Sequence, residues 1–280
     1  MYLVTGATGN VGSKMVDQLL AMGKKVRVFT RDVDKVAHWG DQVEVAAGDF
    51  ERADTFERAV AGVEGAFLMN GALNGQAFRK LIDTAKEQGS PRIVFLSSTL
   101  ADNPDLMIGR LHKEKEDTIR ESGLQGRFVR SGGFMSNSYQ WGRTIKAEGV
   151  VLNPMGSGRS APIAPEDIAA VAVRALTDSS ILDEVLEVTG GELLSVPAQV
   201  NILAEILGKA IRCVDIPTET AVQGMIQAGV PAPVASAVGK SFEVIRDGGG
   251  AAMRDTVKRV TGRQPKTYEQ WARENKSRFA

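Results

Sequence analysis

The chain opens Met1-Tyr2-Leu3-Val4-Thr5-Gly6-Ala7-Thr8-Gly9-Asn10-Val11-Gly12, and these residues decide the fold. Tyr2, Leu3 and Val4 form a short apolar run, with glycines following at 6, 9 and 12. Behind them Val11, Met15, Val16, Leu19, Leu20 and Met22 recur at helical spacing. Strand, glycine turn and helix, in that order, form the context a dinucleotide-binding fingerprint requires. Gly6 allows a sharp turn at the strand end, Gly9 lets backbone N–H groups approach a pyrophosphate, and Gly12 lets the helix pack close to the sheet. The loop from Gly6 through Thr8, Gly9, Asn10 and Val11 to Gly12 is therefore the expected phosphate contact, facing the positive end of the helix dipole.

The totals bound the rest. A length of 280 residues suits one large α/β domain with a smaller lobe. Lys plus Arg and Asp plus Glu are 34 each, so no global field favours nucleic acid or an anionic membrane. No run approaches the ~18 apolar residues of a membrane span. The first residues already read as a core strand, leaving no room for a signal peptide. A single cysteine, Cys213, excludes an intramolecular disulfide, and His38 and His112 offer no metal cluster. The expectation is a cytoplasmic protein without metal; oligomeric state is left open.

Going outward from the turn, Gly23 closes the first helix, and Val26-Arg27-Val28-Phe29 alternates as a second strand. This strand runs out as Thr30-Arg31-Asp32, with Lys35 one helical turn beyond Arg31. Two cations there suit the 2′-phosphate of NADP, whereas Asp32 could serve the ribose of NAD, and a solvated Arg/Lys pair is the plainer alternative. NADP is the expected cofactor, with NAD possible. Val43–Ala46 reads as a third strand, and Gly65–Met69 as a fourth leading to Asn70. Met69 and Asn70 then lie where the cofactor ribose would sit. After a helix near Gln76–Gln88, Arg92–Leu96 is a continuous apolar strand ending in Ser97-Ser98-Thr99. Strands alternating with helices give a Rossmann-like, doubly wound parallel sheet, which binds ligands at strand carboxyl ends. The expected division is 1–190 for this domain and 191–280 for a smaller, mostly helical lobe. That lobe carries amphipathic segments at Pro197–Leu207, Thr218–Ala228 and Val234–Ile245, and a strand at Ile211–Ile216. Met225, Phe242 and Met253 are expected in its core. The Asp247–Met253 stretch is open to two readings, a mobile cover or a plain loop.

Thr5-Gly6-Ala7-Thr8-Gly9-Asn10-Val11-Gly12, with its wide glycine spacing, resembles the short-chain dehydrogenase/reductase superfamily. By that resemblance Asp49 and Phe50 form the adenine corner, although Asp49 could instead cap the helix near Ala53. The resemblance also implies a carbonyl-orienting hydroxyl at Ser98 or Thr99. The superfamily's Tyr-x-x-x-Lys pair is absent: Tyr2, Tyr139 and Tyr268 are followed four places on by Gly6, Arg143 and Ala272. In its place stand Leu111-His112-Lys113-Glu114-Lys115-Glu116 and Ile119-Arg120-Glu121-Ser122-Gly123-Leu124. With Phe128–Asn137, Ala161–Ile163, Glu166–Ala172, Val185–Gly191 and Val260–Pro265, these stretches resemble the NmrA-like group of atypical short-chain dehydrogenases nearly end to end. That group carries a His or Lys at the place of His112, and a loop beside the nicotinamide at the place of Gly133 and Phe134. Ser97 and His112 complete the implied cofactor contacts.

Two functions follow. One is an NADPH-dependent reductase of a quinone, dye or other conjugated aromatic molecule, since such acceptors take hydride without strong acid assistance. His112, with the ordinary pKa nearest neutrality, is then the candidate acid, with Tyr139 as a second and Ser98 as an orienting hydroxyl. A surface histidine on a solvated helix face is the competing reading of His112. The other function is a non-catalytic NAD(P) sensor that binds a protein partner.

Overall fold

The computed structural model describes residues 1–50, 52–69, 75–89 and 91–280. Its first half runs β1 (Tyr2–Thr5), α1 (Asn10–Ala21), β2 (Val26–Thr30), β3 (Val43–Ala47), α2 (Ala53–Val60), β4 (Gly65–Leu68), α3 (Gly75–Glu87), β5 (Arg92–Ser98), α4 (Met107–Ser122) and β6 (Gly126–Ser131). Then come α5 (Gly142–Glu148), β7 (Val150–Asn153), β8 (Arg159–Ser160), α6 (Pro165–Thr177), β9 (Val185–Val188), β10 (Leu194–Ser195) and α7 (Val196–Leu207). The chain closes with β11 (Arg212–Asp215), α8 (Thr218–Gln227), α9 (Ala232–Arg246), α10 (Thr256–Thr261) and α11 (Tyr268–Glu274).

Seven parallel strands form the main sheet in the order β3-β2-β1-β4-β5-β6-β9. Side chains alternate across it with the period of two that strands impose. Tyr2, Val4, Phe67, Val94 and Leu96 join Met15, Val16 and Leu19 of α1 and Ile168 and Val171 of α6 on one face. Leu3, Ala66, Leu68, Ile93 and Phe95 join Phe56, Phe78, Ile82 and Ile119 of α2, α3 and α4 on the other. Burial on both faces is why these strands read as unbroken apolar runs. The chain steps outward from β1 to β3, then returns to place β4 on the other side of β1. The carboxyl ends of β1 and β4 thus form the crevice where a doubly wound sheet takes its ligand.

The smaller lobe draws on more than the last ninety or so residues. β11 pairs in parallel with β7, and β10 pairs antiparallel with β8. Its core joins Met135, Trp141, Ile145 and Val151 to Val200, Leu203, Tyr268, Trp271 and Phe279. The 135–160 segment therefore belongs with this lobe as much as with the sheet domain.

Met225, Phe242 and Met253 are not in the core, correcting the expectation; Met253 is 49% exposed. For Met225 and Phe242 the reason is the packing of α8 on α9, which uses small residues: a Cβ on Gly239 would meet Val222 Cγ2 at 2.6 Å; Met253 lies between α9 and α10. The glycines after α9 serve close approach as well, since a Cβ on Gly250 would lie 2.9 Å from the Arg159 carbonyl oxygen. Among the described residues, no helix is long and apolar enough to cross a membrane.

Candidate cofactor and active site

The crevice is built from its strand ends. The Thr5 hydroxyl donates to the Phe67 carbonyl at 3.0 Å and accepts from the Met69 N–H at 3.2 Å, tying β1 to β4. Gly6 follows with φ +64°, and a Cβ there would fall 2.2 Å from the Met69 sulfur. The Gly9 N–H closes the turn on the Gly6 carbonyl at 2.9 Å. A Cβ on Gly12 would lie only 2.1 Å from that same carbonyl oxygen, so the helix reaches the strand end only with glycine here. Gly9 differs: its Cβ direction meets nothing nearer than the Gly6 oxygen at 3.2 Å.

No side chain caps α1, and its first turn holds no acidic residue. The N-terminal amides and the dipole end of a 12-residue helix are thus presented to an anion at an open, Cβ-free surface. A pyrophosphate fits this cradle. Thr8 and Asn10 are exposed beside it, and Asn10 Nδ2 donates to Ser136 Oγ at 3.2 Å. The side chain of Val11 is buried in the core, so only its backbone faces the loop.

Beyond the carboxyl end of β2, Arg31 is 80% exposed and its Nη1 lies 3.9 Å from Asp49 Oδ2. Lys35 Nζ lies 3.1 Å from Asp32 Oδ2 and holds that carboxyl below the usual carboxylate range. Each cation thus stands beside a surface carboxylate, a kind of pair that exchanges readily for a stronger anion. The N-cap position of α2 is Arg52, whose side chain makes no cap hydrogen bond, while the Asp49 N–H donates to the Thr55 hydroxyl at 3.1 Å and the Asp49 carbonyl accepts from it at 3.0 Å. Phe50 packs its ring 5.0 Å from Phe29 and 5.8 Å from Phe56, making it a half-buried wall of the core. Asn70 lies outside the described residues.

At its carboxyl end, β5 delivers two serines with different duties. Ser97 is buried and its hydroxyl donates to Glu116 Oε1 at 2.6 Å. Ser98 accepts the Leu100 N–H at 3.1 Å and starts the short helical turn 99–102. The loop at Gly133 and Phe134 is held by Ile163, whose N–H donates to the Gly133 carbonyl at 3.0 Å and whose carbonyl accepts the Met135 N–H at 2.9 Å.

His112 is half-buried on α4, its ring 5.9 Å from Phe95. Burial, and then the neighbouring Lys115 against the opposing pull of Glu116, lower its pKa to about 4. It is neutral at pH 7, so it is not the ready imidazolium acid that its ordinary pKa suggests. The helix face after it is not solvated either: Lys115 is 4% exposed and Glu116 fully buried. Tyr139 sits apart in the aromatic cluster of the smaller lobe. Its hydroxyl donates to Asn275 Oδ1 at 2.7 Å, its ring lies 5.2 Å from Trp271, and burial raises its pKa.

An ionic group with a buried core and an exposed edge at Asp102 lies beside the serines of β5. Arg130 of β6 donates from Nε and Nη2 to the two carboxylate oxygens of Glu116, at 2.8 and 2.7 Å, and from Nη1 to Asp102 at 2.5 Å. Sequence reading passed over this set and over Lys115. Its signal was Arg130 directly after the apolar pair Phe128-Val129 in β6, since a charge there must find a partner.

These features define a dinucleotide-binding α/β protein with its ligand crevice between β1 and β4. The chain belongs to the NAD(P)H-binding family, whose profile matches residues 6–179, and with it to the NmrA-like group of atypical short-chain dehydrogenases/reductases. It is 33% identical to a (4-alkanoyl-5-oxo-2,5-dihydrofuran-3-yl)methyl phosphate reductase of Streptomyces griseus, over 100% of this chain and 99% of the relative. It is 32% identical to an NAD(P)H azoreductase of Xenophilus azovorans, again over 100% and 99%. Among solved structures, an NADPH-dependent quinone oxidoreductase from Escherichia coli, complexed with NADPH, superposes with a TM-score of 0.85 at 22% identity, covering 98% of this chain and 99% of that one. These likenesses match the expected sheet and extend it through the smaller lobe.

Proposed function

We propose that this protein is an NAD(P)H-dependent reductase, preferring NADPH, that delivers hydride to a quinone, an azo or other dye, or a similar conjugated small molecule. The observation that carries the reading is an open pyrophosphate cradle joined to a reaction end without a strong acid. Full-length similarity to an azoreductase and a dihydrofuranone phosphate reductase supports the same class.

Bound NAD(P)H supplies the hydride. Gly6, Thr8, Gly9, Asn10, Val11 and Gly12 hold the pyrophosphate through backbone amides and the α1 dipole. Arg31 and Lys35 leave Asp49 and Asp32 for the 2′-phosphate. Asp49 and Phe50 border the adenine, Met69 and Ser97 the ribose, and Gly133 and Phe134 the nicotinamide side. His112, uncharged, donates a hydrogen bond to the acceptor's oxygen or nitrogen, and Ser98 orients that atom. Such a donor polarises the acceptor modestly, which suffices where conjugation already spreads the arriving negative charge.

The test is loss of reduced-nicotinamide absorbance with a panel of quinones, azo dyes and unsaturated lactones. Consumption with at least one class is the expected result. Tight NADPH binding with no consumption across the panel would instead identify a cofactor-binding sensor.

A further inference from the structure

Ser98 leaves β5 at the start of a short helical turn, Thr99–Asp102, and that turn is held from three directions. At its near end the Ser98 oxygen accepts the Leu100 N–H at 3.1 Å. On another side α4 presses on its backbone: a Cβ on Gly109 would lie 2.2 Å from both the Leu100 and the Asn103 carbonyl oxygens. At its far end Asp102 accepts from Arg130 Nη1 at 2.5 Å. The first two holds come from residues close in sequence. The third crosses to β6, which pairs with β5 and sets Arg130 beside Ser97.

Arg130 is a stiff arm. Its side chain is 6% exposed, whereas that of Asp102 is 65% exposed, so the guanidinium reaches from the interior to the surface. Nε and Nη2 are fixed on Glu116 at 2.8 and 2.7 Å, and Ser97 donates to the same carboxylate at 2.6 Å. A planar guanidinium held by two bonds has little freedom left, so Nη1 presents its hydrogens in a set direction. An ion pair with one partner this exposed adds little to stability. What the Asp102 bridge adds is position, because it fixes the turn relative to the sheet. The Ser98 oxygen already accepts the Leu100 N–H, and its own hydrogen finds no acceptor among the described residues. That hydroxyl is left as a donor.

We propose that Asp102 and Arg130 are positioning residues for the reduction, acting through Ser98: their bridge locks the turn so that the Ser98 hydroxyl offers its hydrogen to the oxygen or nitrogen of the bound substrate. This role rests on the reductase reading, in which negative charge gathers on that atom as hydride arrives. A donor fixed beforehand stabilises the charge without having to reorganise. A turn free to shift would misplace it, and a displacement of about 1 Å can cost about a hundredfold in rate.

Asp102→Ala removes the bridge and leaves the buried Glu116–Arg130 pair whole, while Asp102→Asn keeps an oxygen for Nη1. Rates are measured with NADPH and whichever quinone, dye or lactone the parent reduces, alongside NADPH titration and thermal melting. Asp102→Ala lowers kcat/KM for that substrate about tenfold, leaves NADPH affinity within about a factor of two and moves the melting temperature little. Asp102→Asn recovers most of the loss. Ser98→Ala loses at least as much, and adding Asp102→Ala to it costs nothing further, since no hydroxyl remains to be placed. An unchanged substrate rate in folded Asp102→Ala overturns the proposal, as does a parallel loss of NADPH affinity or additive losses in the double variant. A parent that reduces no substrate ends the reductase reading and this role together; an active parent with an indifferent Asp102→Ala ends this role alone.

Discussion

Glu116 and Arg130 meet in a buried two-bond pair between α4 and β6, Nε to Oε1 at 2.8 Å and Nη2 to Oε2 at 2.7 Å. Removing one partner leaves a charge in the interior, which typically costs about 3–5 kcal/mol. Glu116→Ala and Arg130→Ala should each lower urea stability by that order, whereas Glu116→Leu with Arg130→Met should lose much less. A double variant as unstable as either single one would mean that the pair is intrinsically stabilising.

The three glycines of the opening turn should separate by role. A Cβ on Gly12 collides with the Gly6 carbonyl, so Gly12→Ala should destabilise the fold by about 1–3 kcal/mol, read from denaturant midpoints. Gly9 has ordinary backbone angles, and a Cβ there would press on the Gly6 carbonyl oxygen at 3.2 Å, a milder clash than the 2.1 Å at Gly12. Gly9→Val should therefore cost less stability than Gly12→Ala and yet lose both NADPH and NADH in fluorescence titration. Retained affinity would mean that the pyrophosphate lies elsewhere.

Arg31→Ala tests cofactor choice. Charge-assisted hydrogen bonds contribute about 1.5–3 kcal/mol, so NADPH affinity should fall roughly tenfold or more, with NADH nearly unchanged. Equal losses for the two cofactors would remove Arg31 from the 2′-phosphate.

Tyr139→Phe should leave kcat within about a factor of two while costing about 1 kcal/mol of stability, the usual worth of one hydrogen bond. The lost bond is the 2.7 Å contact to Asn275. A fall in kcat of orders of magnitude would make Tyr139 the acid after all.

Stability should depend on pH in two windows. His112 titrates at about 4 when folded and near 6.5 when unfolded, so the unfolded chain binds more protons between these values. Its contribution is complete above pH 6.5 and is lost as pH falls to 4, up to about 3 kcal/mol. Lys115, at about 8 folded against 10.5 unfolded, adds stability as pH rises through that interval. Compared with the parent in urea midpoints, His112→Leu should remove the lower window, whereas Lys115→Met should remove the upper one and also narrow the lower, because Lys115 helps to depress the His112 pKa; unchanged slopes in the variants would refute the assignment.

The sheet and its cofactor turn were legible because their causes are local. Apolar runs, glycine spacing and helical periodicity place β1, α1 and the strands that follow within a residue or two, and even the lobe segments at 197–207 and 218–228 match α7 and α8. The exposure of Arg31 and Lys35 after β2 was legible by position, though the carboxylates beside them were only half read. What stayed hidden depends on packing between distant segments. Lys113 to Glu116 look like a solvated run, yet the turn of α4 sends Lys115 and Glu116 inward and leaves Glu114 outside. Tyr139 looks available until Asn275, 136 residues away, accepts its hydroxyl. Met225 and Phe242 look like core because their helices are amphipathic, but small residues seal the α8–α9 contact instead, and Met253 lies on the stretch between α9 and α10.

Single-turnover oxidation of NADPH carrying deuterium on one or the other face of C4 tests the central claim most directly. The account predicts that a quinone, dye or unsaturated lactone oxidises the bound cofactor, and that one label slows this step severalfold while its epimer does not. Oxidation slowed by neither label, or firmly bound cofactor that no acceptor oxidises, would contradict it.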